Sequence, residues 1–261
     1  MKFNFFLNWF VFLRFLILFL IYISNTSFDK SNEIWGATGH RVVGQIAENY
    51  LTEKAKKSIK NLLNGKSLAS VSTFADDIKS DPKYKKFNPW HYVNIKSGEN
   101  YDTKNKNKNG DVIVAIYKCI EILSDKNYNK KDKSFYLKLL VHFIGDVHQP
   151  LHVGRKEDRG GNDIKVRWFG VQTNLHRVWD SQIINSHQMS YTELSKDLPI
   201  LGETEIDRIK KSNILDWVTE SQNIADSIYN DAKENSNLGF EYRYKYLNTV
   251  KSRLLMGGLR L

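Results

Sequence analysis

Residues 142–152 read His-Phe-Ile-Gly-Asp-Val-His-Gln-Pro-Leu-His, and this stretch does most to decide the fold. His142 and Asp146 are four residues apart, so on a helix both side chains project from one face. The Gln-Pro step that follows predicts the end of that helix, because the residue before a proline is disfavoured in the α conformation. His152 lies two residues after Pro150, where a turn can return its side chain to the helix end. The stretch therefore predicts a helix that carries polar, metal-ligand types of side chain near its carboxyl end.

A second pair with the same spacing, His176 and Asp180, lies further along the chain. Imidazole nitrogen and carboxylate oxygen are ligand atoms that zinc takes. One His-x-x-x-Asp pair is weak evidence, since a structural histidine hydrogen-bonded to a nearby carboxylate gives the same pattern. Two such pairs favour a metal site over that alternative, and three further histidines add to them: His40, His91 and His152.

Apolar residues recur at helical spacing through most of the chain. Thr52 and Ser134 are predicted helix caps, and residues 83–109 are predicted mainly as loop. The alternation of residues 164–169 predicts a strand, half of a small hairpin. No repeat or linker divides the chain, so we expect a mostly α, single-domain multi-helix fold with a small β-hairpin. Helices are predicted over residues 41–51, 53–63, 111–123, 134–148, 206–232 and 240–256.

Composition excludes several classes of protein. The chain has 261 residues with 39 Lys+Arg against 29 Asp+Glu, a net charge of +10, and its hydrophobic content of 41% is ordinary for a globular protein. A single Cys excludes a disulfide scaffold and a multi-Cys zinc site. No Walker loop, Gly-x-Gly-x-x-Gly, His-Glu-x-x-His or Gly-x-Ser-x-Gly motif occurs. The positive charge suits a polyanionic substrate, although scattered, solvated lysines would give the same total.

The first 34 residues differ from the rest of the chain. They carry ten aromatic residues, the basic residues Lys2 and Arg14, and an apolar run over residues 15–23. A basic start followed by a short apolar segment is typical of a secretory signal. We therefore expect residues 1–34 to be a removed signal and processed segment, and the protein to be secreted or periplasmic. The alternative is a retained N-terminal membrane anchor.

Six motifs, taken together and in order, resemble one family. The chain is similar to the secreted single-strand-specific zinc nucleases of the S1/P1 type, which are relatives of zinc phospholipase C. The block over residues 142–152 is the most specific of the six. The others are residues 35–40 (WGATGH), 74–76 (FAD), 90–94 (WHYVN), 160–162 (GGN) and 174–180 (NLHRVWD).

The resemblance implies a domain over residues 35–261 that holds three Zn²⁺ ions in a cleft of a helical fold. Asp146 would bridge two of the metals, a position that suits a carboxylate because it has two oxygens. Six positive charges against three carboxylates would leave a site that attracts phosphate. The implied ligands are Asp76, His91, His142 and Asp146 for one zinc, Trp35, His40 and Asp146 for the second, and His152, His176 and Asp180 for the third.

The resemblance also implies a reaction and a substrate. Water activated by the paired zincs would attack the phosphodiester, with Asp76 orienting it, and the products would carry a 5′ phosphate. Lys79 would face the phosphate, unless it is simply a solvated lysine. Tyr92 would stack an unpaired base, unless it packs in the core, and Asn94 and Asn162 would contact base edges or phosphate. The expected substrates are single-stranded DNA and RNA, and a 3′-nucleotidase activity on nucleotides is left open.

Three further expectations belong to this interpretation. Trp35 can ligate through its amino group only if the chain is cut directly before it, and residues 32–34 are a poor signal-peptidase site. We expect a monomer with no protein partner, and contact with a membrane only if the N-terminal segment is retained. Two other functions fit the same residues: a phospholipase C-like lipid phosphodiesterase and a non-catalytic nucleic-acid-binding protein with structural zinc.

Overall fold

A computed structural model describes residues 36–104 and 107–261 of the chain, and all of them fall within one compact unit. The predicted signal over residues 1–34 and the predicted ligand Trp35 lie outside the described residues. The twelve α-helices that the described residues form are α1 (Ala37–Tyr50), α2 (Glu53–Leu62), α3 (Leu68–Val71), α4 (Phe74–Asp77), α5 (Val112–Ser124), α6 (Lys130–His148), α7 (Leu175–Arg177), α8 (Ile183–Ser186), α9 (Tyr191–Leu194), α10 (Glu203–Lys211), α11 (Ile214–Asp231) and α12 (Phe240–Arg260). Tighter 3₁₀ turns span Ile78–Ser80, Pro82–His91 and Pro150–Val153, and a π-helical segment spans Val178–Gln182. The mostly α prediction is confirmed.

The long helices pack around α6. It lies against α5, α1, α11 and α12, and its inner face buries Phe143, Ile144 and Val147. The contact between α1 and α12 is close, because a side chain at Gly258 would collide with Ile46. His142 and Asp146, near the carboxyl end of α6, are both fully buried.

The sheet is small and has three strands. β1 (Lys165–Trp168) and β2 (Val171–Asn174) form the predicted antiparallel hairpin, with Trp168 opposite Val171. Phe169 and Gly170 form its two-residue turn, and both have positive φ, as a type I′ turn requires. β3 (Asn237–Leu238) pairs parallel to β1, a contact that the sequence pattern did not predict. The hairpin leads directly into α7, which carries His176.

Several predicted boundaries hold, because the capping side chains are present. The hydroxyl of Thr52 accepts a hydrogen bond from the amide of Ala55 at 3.2 Å, which starts α2 as expected. Asp111 caps α5 by accepting from the amides of Ile113 and Val114, each at 3.0 Å.

Two predicted boundaries were wrong. α6 begins before Ser134, because Asn129 caps it by accepting from the amide of Asp132. The single helix predicted over residues 206–232 is two, because Asn213 and Asp216 form a capping box that starts α11. Part of the predicted loop over residues 83–109 is the 3₁₀ segment that ends at His91. No helix in the part of the chain described here combines the length and apolarity needed to cross a bilayer.

Candidate metal centre

Three groups of histidine and aspartate side chains lie at the carboxyl end of α6. In each group the candidate ligand atoms lie within 4.8 Å of one another, and six of the eight contributing residues are buried, Asp76 and His176 being partly exposed. The groups draw on seven elements, namely α1, α4, α6, α7, two 3₁₀ segments and the π segment, so residues far apart in sequence meet in one place. Their members are Asp76, His91 and His142; His40, His142 and Asp146; and His152, His176 and Asp180.

The two oxygens of Asp146 face different histidines. Oδ2 lies 2.9 Å from Nδ1 of His91 and 3.2 Å from Nε2 of His142. Oδ1 lies 3.6 Å from Nε2 of His40 and 3.2 Å from Nδ1 of His152. One carboxylate thus presents an oxygen to each of two ligand groups, which is the arrangement that a bridging ligand needs.

Backbone carbonyls fix the orientation of three of the imidazole rings. Nδ1 of His142 lies 2.8 Å from the carbonyl oxygen of Ser72, and a carbonyl can only accept, so this nitrogen carries the proton. Nδ1 of His176 donates in the same way to the carbonyl of Gly160 at 2.7 Å. The Nε2 atoms of these rings face the carboxylates of Asp146 and Asp180. Such an outer hydrogen bond is what sets the ring orientation of a metal-ligating histidine.

A backbone carbonyl also orients the ring of His152, which belongs to the third group. Its Nδ1 donates to the carbonyl of His91 at 2.7 Å, and its Nε2 lies 3.2 Å from Oδ1 of Asp180. The rings of His152 and His176 stack with their centroids 5.0 Å apart, so both Nε2 atoms converge on the Asp180 carboxylate.

The polar atoms of the cluster fit a bound cation. Oδ1 of Asp146 and Nε2 of His91 are buried and make no hydrogen bond to any described residue. Nε2 of His142 also lies 3.1 Å from Nδ1 of His91, a close approach of two ring nitrogens. Burial lowers the pKa of His91 to about 4, and burial together with His142 lowers that of His40 to about 3. Neutral imidazoles beside carboxylates form a zinc-type donor set.

Two residues that the sequence analysis did not single out support the cluster. Gln149 donates from its amide to Oδ1 of Asp180 while its own carbonyl oxygen accepts from the amide of Leu151, so it holds the carboxylate in place. Gly145 leaves room for His40, because a side chain there would approach Nδ1 of His40 to 2.6 Å. The only sequence signals for them were their positions inside the 142–152 stretch.

Lys79 lies beside the first group. Its Nζ is 2.7 Å from Oδ1 of Asp76, and only about a quarter of its side chain is exposed. The ammonium therefore faces the cluster and is not freely solvated. The structure brings Lys79 to the mouth of the site, beside a carboxylate.

Comparison with known proteins decides the family. The sequence profile of the S1/P1 nuclease family matches residues 35–261. Endonuclease 4 of Arabidopsis thaliana is 35% identical over 260 residues, which cover 87% of this chain and 86% of that protein. Endonuclease 3 of the same plant is 32% identical over 87% of this chain and 86% of its own length. Nuclease S1 of Aspergillus oryzae is 34% identical over 57% of this chain and 54% of its own length.

The chain belongs to the S1/P1 nuclease family. It is an enzyme, a nuclease that hydrolyses ester bonds of nucleic acid. Among the described residues, these three groups of His and Asp side chains could each hold a metal ion.

Next to the cluster, the S1/P1 nuclease has a cavity of about 540 Å³. Tyr92 and Asn94 line it, and Tyr92 is 42% exposed, so its ring is not part of the core. Lys96 and Lys156 line it together with three carboxylates, those of Glu99, Asp102 and Asp111. Asn162 lies instead in the turn that precedes the hairpin, where its amide donates to the carbonyl of Arg159 at 2.9 Å.

Proposed function

We propose that this enzyme is a secreted or periplasmic, three-zinc nuclease that cleaves single-stranded DNA and RNA and leaves 5′ phosphates. The observation that carries the proposal is Asp146, whose two buried oxygens face two histidine groups while a third group lies beside them. Zinc bound there would lower the pKa of water and offset charge on the phosphate. The proposed zinc ligands are the ones that the sequence resemblance implies. Trp35 would be a ligand only after the chain is cut directly before it.

The side chains of this chain have separate tasks in the proposal. His40, His91 and His142 bind as neutral rings, and Asp146 joins their two groups. Asp76 orients the attacking water, and Lys79, 2.7 Å from Asp76, supplies a positive charge to the phosphate. His152, His176 and Asp180 would hold a third zinc, which would supply positive charge at the leaving oxygen in place of a separate protein acid.

Selection for unpaired bases rests on the cavity beside the cluster. A half-exposed Tyr92 ring can stack on a base only if that base is free of its pairing partner. Asn94, on the same wall, offers an amide to the base edge. A mononucleotide seated in this cavity would present its 3′ phosphate to the cluster, so we extend the proposal to 3′-nucleotidase activity.

The test compares substrates with and without a chelator. Purified protein should cleave a single-stranded oligonucleotide, leave the matched duplex largely intact, and release 5′-phosphorylated fragments. Chelation should abolish cleavage and added zinc should restore it. Hydrolysis of lecithin in preference to the oligonucleotide would favour the lipid phosphodiesterase, and strand retention without cleavage in excess zinc would favour the binding protein.

A further inference from the structure

A second cavity, of about 860 Å³, lies outside the cluster and its neighbouring pocket. Four parts of the fold form it: the end of α2, Phe74 of α4, the start of the Pro82–His91 segment and the first half of α6. We refer to it as the lysine–aromatic groove. The lysines and aromatic residues used to define it are Lys83, Lys86, Lys130, Lys131, Lys138, Phe74, Tyr84 and Phe135.

The groove is strongly positive. Five lysines line it against one carboxylate, that of Asp132. Nζ of Lys130 contacts only the uncharged amide oxygens of Asn61 and Asn64, each at 3.1 Å. Lys86 and Lys131 are exposed, and neither forms an ion pair with a carboxylate in the described part of the chain. Lys83 is paired with Asp81 at 2.9 Å, so the charges available to an anionic ligand are first of all those of Lys86 and Lys131.

Aromatic rings lie between the lysines. The ring of Tyr84 stacks against that of Phe135 with centroids 5.7 Å apart, and Phe74 meets Phe135 edge-on at 5.4 Å. Nζ of Lys138 lies 3.6 Å from the centroid of Phe74. Phe74, Tyr84 and Phe135 are only partly buried, so they offer ring surface to the groove. Interleaved lysines and aromatic rings are the composition of surfaces that bind single-stranded nucleic acid.

The groove and the metal centre are built on the same elements. α4 carries Phe74 in the groove and Asp76 in the cluster, and the 3₁₀ segment carries Tyr84 and ends at His91. On α6, Lys138 precedes His142 by four residues, a rise of about 6 Å along the helix. A strand held at the cluster would therefore need only a few nucleotides to reach the groove.

We propose that the lysine–aromatic groove is a second binding site for the substrate strand, several nucleotides from the bond that is cut. Its lysines contact phosphates and its aromatic rings contact bases. This inference rests on the proposed function, because the strand that occupies the groove is the strand cleaved at the cluster. Its consequence is that long single strands bind more tightly than dinucleotides, which occupy the cluster alone.

The test is strand binding by the full enzyme, using a phosphorothioate single strand of about 20 nucleotides that resists hydrolysis. The variant Lys86→Gln/Lys131→Gln removes two exposed charges from the groove. The control Lys196→Gln/Lys211→Gln removes two exposed charges elsewhere. We expect the groove variant to bind about tenfold more weakly, and its log–log salt slope to fall by about 1.4, at about 0.7 per lost phosphate contact. The control should bind as the wild type does.

A cleavage assay separates the groove from the cluster. The groove variant should raise the KM for a long strand and leave kcat/KM for a dinucleotide within about twofold, because ground-state binding energy is all that is removed. Tyr84→Leu should weaken strand binding even at high salt, where the lysine contacts are screened. Equal losses on the two substrates would overturn the inference.

Other outcomes also decide the question. Unchanged strand binding by the groove variant, or equal weakening by the control, would overturn the proposal. So would loss of binding to phosphatidylserine vesicles with strand binding intact, since the groove would then be a membrane site. If the wild type hydrolyses neither substrate, the proposed function fails, while the binding comparison still decides whether the groove holds a strand.

Discussion

The end of α6 separates two buried polar regions of opposite character. On one face, His142 and Asp146 belong to the metal cluster, where ring nitrogens face each other and Oδ1 of Asp146 makes no hydrogen bond to a described residue. On the other face, His148 lies among Arg253, Arg260 and Glu220. Nε of Arg253 donates to the carbonyl of His148 at 3.1 Å, and Nη1 of Arg260 lies 2.9 Å from its Nε2.

In the second region the protein supplies its own cations. Nη1 of Arg253 donates to Oε2 of Glu220 at 2.7 Å, and Arg260 donates to both oxygens of that carboxylate. Ser221 accepts from Arg253 and donates to the carbonyl of Val147, so it joins the network to α6. We call Glu220, Ser221, Arg253 and Arg260 the arginine network. Both arginines of the network are paired with Glu220, whereas the cluster keeps two buried ligand atoms, Oδ1 of Asp146 and Nε2 of His91, without a hydrogen-bond partner among the described residues. This contrast indicates that the network serves stability and the cluster serves binding.

The largest expected effect comes from Asp146→Asn, which keeps the size of the side chain and removes its charge and one potential ligand oxygen. Losing a bridging ligand should reduce the number of bound metal ions. It should also lower kcat/KM on single-stranded DNA by at least about 10³-fold, since each metal supplies several kcal/mol of transition-state stabilisation. Metal content by plasma mass spectrometry and steady-state kinetics measure both. A variant with full metal content and activity would show that Asp146 does not bridge.

Arg253→Met tests the arginine network. Removing a buried guanidinium leaves the carbonyl of His148 and part of Glu220 without a donor, so unfolding in urea should require about 3 kcal/mol less free energy. The folded variant should keep its zinc. If Arg253→Met instead lost zinc in proportion to stability, the two regions would not be separate in function.

Gln149→Leu should have a smaller and more local effect. Leucine keeps the bulk of the side chain but cannot donate to Asp180, so affinity at the His152, His176 and Asp180 group should fall by about 10- to 100-fold, as for other outer hydrogen bonds to ligands. At limiting zinc the variant should bind one metal fewer than the wild type, with its thermal stability in excess zinc nearly unchanged. Equal loss of all bound metals would contradict a local role.

These examples also show how far the sequence could predict the site. Helix geometry alone placed His142 beside Asp146, because four residues make about one turn. The carbonyls of Ser72, His91 and Gly160 that orient the rings could not be predicted, since every residue carries a carbonyl and only the fold decides which one faces an imidazole.

The clustering of the groove lysines could not be predicted from the sequence either. Residues 83–86 and 130–138 are far apart in sequence, and in the sequence their charges look like solvated faces. Packing of the 3₁₀ segment near the start of α6 brings them into one groove. The charge could be counted in advance, but where it concentrates depends on long-range packing.

The smallest expected effect is a pH dependence of stability. Burial raises the pKa of Glu220, but hydrogen bonds from Arg260 and Arg253 outweigh burial and leave it below its ordinary value of 4.5. The folded form thus favours the carboxylate, so this stabilisation is complete above the unfolded pKa and is lost as the pH falls through the lower folded pKa. The stability difference between wild type and Glu220→Gln should therefore shrink between about pH 6 and pH 3. A constant difference would exclude this titration.

The proposed catalysis depends most on cations bound at the cluster. Native mass spectrometry of the processed protein, together with cleavage of single-stranded DNA before and after chelation, tests this directly. We predict three zinc ions per chain, one for each of the three ligand groups, with loss of cleavage on chelation and recovery on adding zinc. Full cleavage by metal-free protein would contradict the account.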